Sequence, residues 1–256
     1  MRKALEKRAP LLISGPAGIG KTALVMNIMN DLPSHLARSA IYLNGVDGLQ
    51  PFLRLLLARL YEIEDRTLRR QTRAEGVRRD TFKAWLKSLG TSRLKGALYR
   101  SAEKGRYWIV LDHMPPLTQA VAKVVKELVQ MRNTPVFLLA RGRDESAIGH
   151  VSEVYWGDRQ RLSIGPLPGK AAQQLLDWCI AQFRLARLDL KGFREEVLRL
   201  SGCSPGALIK MCAMAAEPRY HYGARIKIKL IHIDSLVRGY DPLPSLTLAE
   251  GADDGR

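Results

Sequence analysis

Pro10-Leu11-Leu12-Ile13-Ser14, followed directly by Gly15-Pro16-Ala17-Gly18-Ile19-Gly20-Lys21-Thr22, is the stretch that decides the fold. The apolar run reads as a buried strand, and the residues after it fit the pattern G-x-x-x-x-G-K-[ST] without a mismatch. Ala23 to Asn30, with Ala23, Leu24, Ile28 and Met29 among its apolar positions, reads as a helix leaving the loop. Strand, glycine-rich turn and helix in that order form a cradle for phosphate. The glycines let successive backbone N–H groups curl around an anion, and the helix turns its positive end toward it. In such a cradle Lys21 reaches the outer phosphates and Thr22 holds Mg²⁺. The competing reading is a glycine-rich turn with no ligand, which requires motif, strand and helix to coincide by chance.

Working outward, Ser39 to Asn44 reads as a second strand ended by Gly45 and Gly48, and Pro51 to Tyr61 as a leucine-rich helix. Tyr107-Trp108-Ile109-Val110-Leu111-Asp112 is an apolar strand closed by a carboxylate. A Pro115-Pro116 turn follows, then a helix with Leu117, Val121, Val124, Val125, Leu128 and Met131 at helical spacing. Thr134 to Ala140 is another buried strand, ending at Arg141, and Arg161 to Leu167 is a last short one. Continuous apolar strands alternating with helices predict an α/β fold with a parallel sheet covered on both faces, where ligands gather at the carboxyl ends of the strands. The loop, Asp112 and Arg141 all fall at such ends. Beyond Pro168 the pattern turns helical: Ala171 to Phe183, Phe193 to Leu200, and a third helix with Ser204 as N-cap and Pro205 first. Ile226 to Leu230 alternates like a strand, and Ile233 to Tyr240 reads as a final short helix. The expected organisation is a core over 1–167 with a basic insertion at about 62–105, a helical part over 168–240, and a disordered tail over 241–256.

The net charge of +16 and pI near 10.1 favour an anionic partner beyond the triphosphate, most simply nucleic acid; the alternative is an ordinary basic surface. Between Arg54 and Arg106 there are 15 basic residues against 6 acidic, so this one stretch supplies +9 of the excess. Arg66, Arg69, Arg70 and Arg73, three and four apart, make one positive face on a helix. Phe82 and Trp85 serve either to stack on bases or to anchor that helix, and anchoring is the reading preferred here. Three roles stay open for stretch 66–106: DNA binding, a protein partner or self-association, and none. No apolar run approaches the ~20 residues of a membrane span, and Met1 to Arg8 lacks the apolar core of a secretory signal, so a cytoplasmic protein without membrane contact is expected. Cys179, Cys203 and Cys212 are widely spaced without a C-x-x-C pair, and read as buried thiols.

The order of motifs resembles the AAA+ and STAND ATPases, P-loop NTPases of the origin-recognition, transposition and NB-ARC-like kinds. Walker A is GPAGIGKT, Gly15 to Thr22; the Walker B strand is YWIVLD, ending at Asp112; the sensor-1 strand is VFLLAR, ending at Arg141. LSIGPLPGKAAQQLLDWC looks like the link into the lid, and SGCSPGALIKMC is similar to the lid's G-x-P motif. The resemblance implies a P-loop core, a small helical lid, and ATP with Mg²⁺ as ligands. By it, Gly15 to Thr22 bind ATP, Thr22 and Asp112 hold the metal, and Lys21, Asp112, His113 and Arg141 form the catalytic set. For Asp112 the alternative is a strand-end aspartate capping the next turn; for Arg141 it is a surface arginine. His113 stands where many relatives carry a glutamate that polarises the attacking water; a histidine accepts a proton near neutral pH, with a different reach. Glu145 or Glu153 are the carboxylates that could replace it. Gly206 and Ala207 stand where AAA+ lids carry an arginine, with Lys210 a turn later. Arg143, Arg159 and Arg161 are positional candidates for an arginine acting across a subunit boundary, and Ala4 to Arg8 is the segment available to help enclose a base. Three functions follow: a nucleotide-dependent conformational switch that hydrolyses ATP; an ATP-binding scaffold or signalling module that hardly turns over; and, disfavoured because the helical part carries no evident acceptor-binding motif, a small-molecule kinase using the same loop.

Overall fold

Five short strands lie side by side in the computed structural model, which describes residues 1–131, 134–155, 157 and 160–237. They are β1 (Leu11–Ser14), β2 (Ala40–Asn44), β3 (Trp108–Asp112), β4 (Val136–Ala140) and β5 (Arg161–Ser163). The sheet runs β2-β3-β4-β1-β5 and every pairing is parallel, with Leu12 beside Leu138 and Leu43 beside Leu111. Successive residues face opposite ways, so β1 to β4 feed two cores, while β5 is a partly exposed edge strand. Leu11, Ile13, Trp108, Val110, Phe137 and Leu139 face one side, and Leu12, Ile41, Leu43, Ile109, Leu111 and Leu138 the other. Burial on both faces is why these strands are continuous apolar runs, and it fixes register, because a one-residue slip would exchange the two sets.

The helices of this unit are α1 (Arg2–Glu6), α2 (Lys21–Asn30), α3 (Ser34–Ala37), α4 (Leu49–Glu62), α5 (Arg66–Ala74), α6 (Phe82–Ser88), α7 (Thr91–Lys104), α8 (Gln119–Gln130) and α9 (Glu145–Ile148). From β1 the chain passes β4 and β3 to reach the sheet edge at β2; the later crossovers return the other way. Right-handed crossovers in opposite directions put α2 on one face and α4 and α8 on the other, which opens a crevice at the carboxyl ends of β1 and β4. Helix α4 buries Phe52, Leu53, Leu56, Leu57, Leu60 and Tyr61, each contributing roughly 1.5–3 kcal/mol by leaving water.

The basic insertion is helices α5 to α7, packed on α4. Asp65 caps α5 by accepting from the Leu68 N–H (2.6 Å), and also accepts from the Tyr107 hydroxyl. Phe82 stacks on Tyr61 at 3.7 Å, Trp85 packs against Phe82 at 5.5 Å, and the Trp85 indole N–H donates to Glu75 at 2.8 Å. These aromatics therefore anchor the insertion. The four-arginine face is corrected to three: Arg69 lies over the Tyr61 ring at 4.0 Å and pairs with Glu64 at 3.4 Å, leaving Arg66, Arg70 and Arg73 exposed.

The chain divides after Ile164, and the loop residues Ala17–Gly20 group with the second unit rather than with the sheet. That unit contains α10 (Gly169–Gln182), α11 (Phe193–Ser201), α12 (Pro205–Ala215), a hairpin of β6 (His221–Tyr222) and β7 (Arg225–Ile226), and α13 (Ile228–Val237). Its core includes Leu176, Ile180, Phe193, Val197, Leu208 and Met211. Gly206, in the first turn of α12 after Pro205, has an N–H without an intrahelical acceptor, and it donates to the Gly18 carbonyl at 2.8 Å. Cys179 and Cys212 are buried on the packed helices α10 and α12, where the neighbouring Cys179 thiol and burial push the Cys212 thiol above its ordinary value; Cys203, expected to be buried, is half-buried. The strand expected over Ile226 to Leu230 is corrected: it ends at Ile226, and a helix begins at Ile228. Ile228 and Ile231 pack inward three residues apart, so in this short apolar–lysine run helical spacing prevails over alternation. The tail over 241–256, the end of the expected helix beyond 237, and Arg159 lie outside the described residues. Among the described residues no helix is long and apolar enough to cross a membrane.

Candidate functional site

Three chain segments converge at the carboxyl edge of the sheet. The first is the turn from β1 into α2. Gly18 and Gly20 have φ of +73° and +97°, conformations L side chains resist, which is why glycine occupies both. Lys21 and Thr22 open α2. The Lys21 ammonium donates to the Gly15 carbonyl at 2.8 Å and to the Pro16 carbonyl at 2.9 Å, so it folds back over its own turn. Partial burial lowers its pKa, the Asp112 charge works against that, and the Arg141 charge adds to it. Asp112 ends β3 and Arg141 follows β4, the strand between β3 and β1 in the sheet, and Lys21 follows the turn after β1.

The second segment is the end of β3. Asp112 has a side chain only 2% exposed, and a buried carboxylate needs donors. Its Oδ2 accepts from the Thr22 hydroxyl at 2.6 Å and from the Tyr42 hydroxyl at 2.7 Å, while Oδ1 accepts from the His113 backbone N–H at 2.8 Å. The two readings of Asp112 thus fall on different oxygens: Oδ1 caps the turn, and Oδ2 faces Thr22. His113 takes a left-handed φ of +50°; its imidazole Nε2 lies 3.7 Å from Asp112 Oδ2 and 3.5 Å from the Thr22 hydroxyl, and the ring is 64% exposed.

The third segment is the neighbouring strand β2, and it supplies the residue that motif reading missed. Tyr42 sits opposite Val110 in the register, two residues before Asn44 meets Asp112, and its phenol reaches over to the carboxylate. Burial, the hydrogen bond and the Asp112 charge all raise the pKa of that phenol, so it stays a donor. The available signal was a lone hydroxyl in the otherwise apolar run Ala40-Ile41-Tyr42-Leu43.

The remaining candidates have other engagements. Arg141 is exposed at the end of β4. Arg143 donates from Nε to the Ser14 hydroxyl at 3.2 Å and from a terminal nitrogen to the Ser163 hydroxyl, tying together the ends of β1 and β5. Arg161 donates to the Tyr155 carbonyl. Glu145 pairs with His150 at 3.3 Å and Glu153 with Lys126 at 2.6 Å, and both line a separate polar cavity against α8. Lys210 donates to the Ser235 carbonyl at 3.2 Å.

A threonine hydroxyl and an aspartate oxygen side by side form a hard-oxygen donor pair suited to Mg²⁺, which typically takes one or two protein ligands and completes its shell with water and phosphate. Among the described residues no group of three or more His, Cys, Asp or Glu could hold a metal alone. In comparisons with known proteins, no family model matches the chain and no curated protein matches it significantly.

Proposed function

We propose that this chain is an ATP- and Mg²⁺-binding ATPase of the AAA+/STAND kind, with a P-loop core and a helical lid, acting as a nucleotide-dependent conformational switch. The single observation that carries the reading is the Thr22–Asp112 hydrogen bond of 2.6 Å, which joins the glycine-rich turn to a carboxylate 90 residues away at the carboxyl edge of a parallel sheet. ATP brings the phosphoanhydride to be cleaved, and the metal brings positive charge beside its outer phosphates. Thr22 Oγ1 and Asp112 Oδ2 would hold that metal. Lys21 would leave the Gly15 and Pro16 carbonyls and neutralise phosphate oxygens, with the loop amides around it. Arg141 would add a second cation at the same edge.

Calorimetry with ATP and Mg²⁺ tests the reading. The wild type should take up nucleotide, Lys21→Ala should weaken it by at least about tenfold, and a well-folded wild type with no uptake overturns the proposal.

A second reading, an ATP-binding scaffold with little turnover, is favoured by His113. That residue occupies a strained left-handed conformation where a carboxylate base is expected, and Glu145 and Glu153 are paired elsewhere. Single-turnover hydrolysis by the wild type and His113→Glu separates the two. Substantial wild-type turnover that slows on substitution defeats the scaffold; negligible wild-type turnover that rises with His113→Glu supports it.

A further inference from the structure

The acidic residues around helix α5 are already engaged with particular cations or caps. Glu62 pairs with Arg59 at 2.6 Å, Glu64 with Arg69 at 3.4 Å and Glu75 with Arg93 at 2.9 Å, while Asp65 is buried as the α5 cap. What this pairing leaves over is specific: Arg66, Arg70 and Arg73 on one face of α5, and Arg78 and Arg79 in the turn that follows. All five are exposed, and among the described residues none has a carboxylate within 4.0 Å. Asp80 faces solvent beside them and offsets one charge at most. Arg66, Arg70 and Arg73 follow i, i+4, i+7 spacing opposite buried Leu68 and Thr72, so they form a fixed stripe about 10 Å long.

We propose that this stripe and the adjoining turn dock on the phosphate backbone of duplex DNA. The charge and the arginine chemistry both suit phosphate, since guanidinium groups bind its oxygens through paired hydrogen bonds. What the surface lacks narrows the partner further. A single-stranded nucleic acid is held largely by stacking on exposed aromatics, and the aromatics here, Phe82 and Trp85, are packed into the Tyr61 cluster. A protein partner of ordinary affinity needs an apolar anchor, and an anionic membrane surface is gripped more firmly by one. The exposed large hydrophobic side chains of the described residues include none between Arg54 and Arg106. A rigid cationic stripe without apolar or aromatic hooks matches a duplex backbone, which carries a charge every ~1.7 Å of its axis. Binding of this kind reads no base sequence. The inference stands on surface charge and not on the nucleotide reading, so either can fail alone.

The test is fluorescence anisotropy of the full chain on a labelled duplex over a range of salt. Five phosphate contacts give a slope of about −4.5 in log affinity against log salt, so affinity falls about 500-fold between about 50 and 200 mM salt. Replacing Arg66, Arg70 and Arg73 together by glutamine should lower low-salt affinity and reduce that fall to roughly tenfold. A matched variant, Lys170→Gln with Arg187→Gln and Lys191→Gln, removes equal charge from the helical unit and should leave the slope unchanged. Circular dichroism confirms that each variant is folded, and slopes of the single Arg→Gln variants give the same answer should the triple variant be unstable. No binding by the wild type at low salt overturns the proposal, as does an equal loss in the matched variant. Equal or tighter arginine-dependent binding to phosphatidylserine vesicles, or to single strands, overturns the choice of duplex DNA.

Discussion

Tyr42→Phe removes one oxygen atom and leaves the ring in place, so its effect isolates the phenol–carboxylate hydrogen bond of 2.7 Å at Asp112. A hydrogen bond to a charged acceptor contributes about 1.5–3 kcal/mol to stability, and the lower end applies because Tyr42 is half-buried and Asp112 keeps Thr22 and His113 as donors. For a chain of this size about 1.5 kcal/mol lowers the midpoint of thermal unfolding by about 3–6 °C. The larger consequence concerns aim. Thr22 and Tyr42 donate to the same Asp112 oxygen, so when Thr22 is engaged by a metal the phenol is the side-chain donor left on that oxygen, with the His113 N–H holding the other. Tyr42 is a positioning residue, and losing such a partner weakens metal binding by about tenfold or more. Electron paramagnetic resonance of Mn²⁺ titrated into ATP-loaded protein reads the metal directly, and calorimetry in a chelator reads nucleotide without it. The expected pattern is weaker Mn²⁺ binding with metal-free nucleotide affinity unchanged within about twofold. A lower melting temperature with unaltered Mn²⁺ affinity would show that the phenol only braces the fold, and would refute the reasoning.

Gly149→Ala should be among the most damaging single changes in the chain. Gly149 has φ +67° and ψ −153°, a region closed to other residues, and an added Cβ would stand 2.2 Å from the Leu117 carbonyl oxygen and 2.3 Å from its nitrogen. A loss of about 3–5 kcal/mol is expected in urea unfolding, and a change below about 1 kcal/mol contradicts the geometry. Glu75 is held below its ordinary 4.5, first by the Trp85 indole N–H and then by Gln71 and Arg93. A carboxylate with a lowered folded pKa adds stability that is present above the unfolded value near 4.5 and fades as pH falls through the folded value. Glu75→Gln should therefore be less stable at neutral pH and lose less on acidification, read from urea midpoints at pH 7 and about pH 3; parallel losses in both proteins would exclude Glu75 from acid unfolding. Thr22→Val should leave metal-free nucleotide binding intact and weaken Mn²⁺ binding to the nucleotide complex by about tenfold, and equal Mn²⁺ affinity would remove Thr22 from the metal site.

The sheet was legible in the sequence because burial on both faces imposes a one-dimensional signature: Trp108 to Leu111 and Val136 to Ala140 have no polar side to show, whatever their neighbours. The glycine-rich turn was legible for a related reason, since Gly18 and Gly20 answer a local backbone demand. The features that were missed are set by partners far along the chain. Tyr42 acquires its role only from the register that sets Asn44 beside Asp112, and no pattern within β2 records that register. Arg69 has the same charge and spacing as its neighbours in α5, yet it turns inward because Tyr61, one helix earlier, offers its ring face. Cys179 and Cys212 look unrelated until α10 and α12 pack and close the distance between their thiols. Ile226 to Leu230 shows the limit of local pattern itself, since five alternating residues satisfy a strand and the start of a helix equally well until Ile231 finds the core.

This division between local and long-range information bears on the site. The half proposed to face phosphate, Gly15 to Thr22, is one contiguous segment, so most of its geometry is set where β1 runs into α2. The half proposed to hold the metal depends on β2, β3 and α2 arriving together, with Thr22, Tyr42 and Asp112 contributed by three elements. Damage to the packing of β2 should therefore separate the two halves, sparing nucleotide affinity in a chelator while weakening the metal. Leu43, fully buried in β2 on the face opposite Tyr42, is the place to apply it. Leu43→Ala leaves every polar group of the site intact and costs about 2–5 kcal/mol in stability. If it weakens Mn²⁺ binding to the nucleotide complex while metal-free nucleotide affinity holds, the carboxylate owes its aim to the strand beside it. If both fall in proportion, the two halves form one cooperative unit, and the phenol of Tyr42 has no separate part in setting the metal.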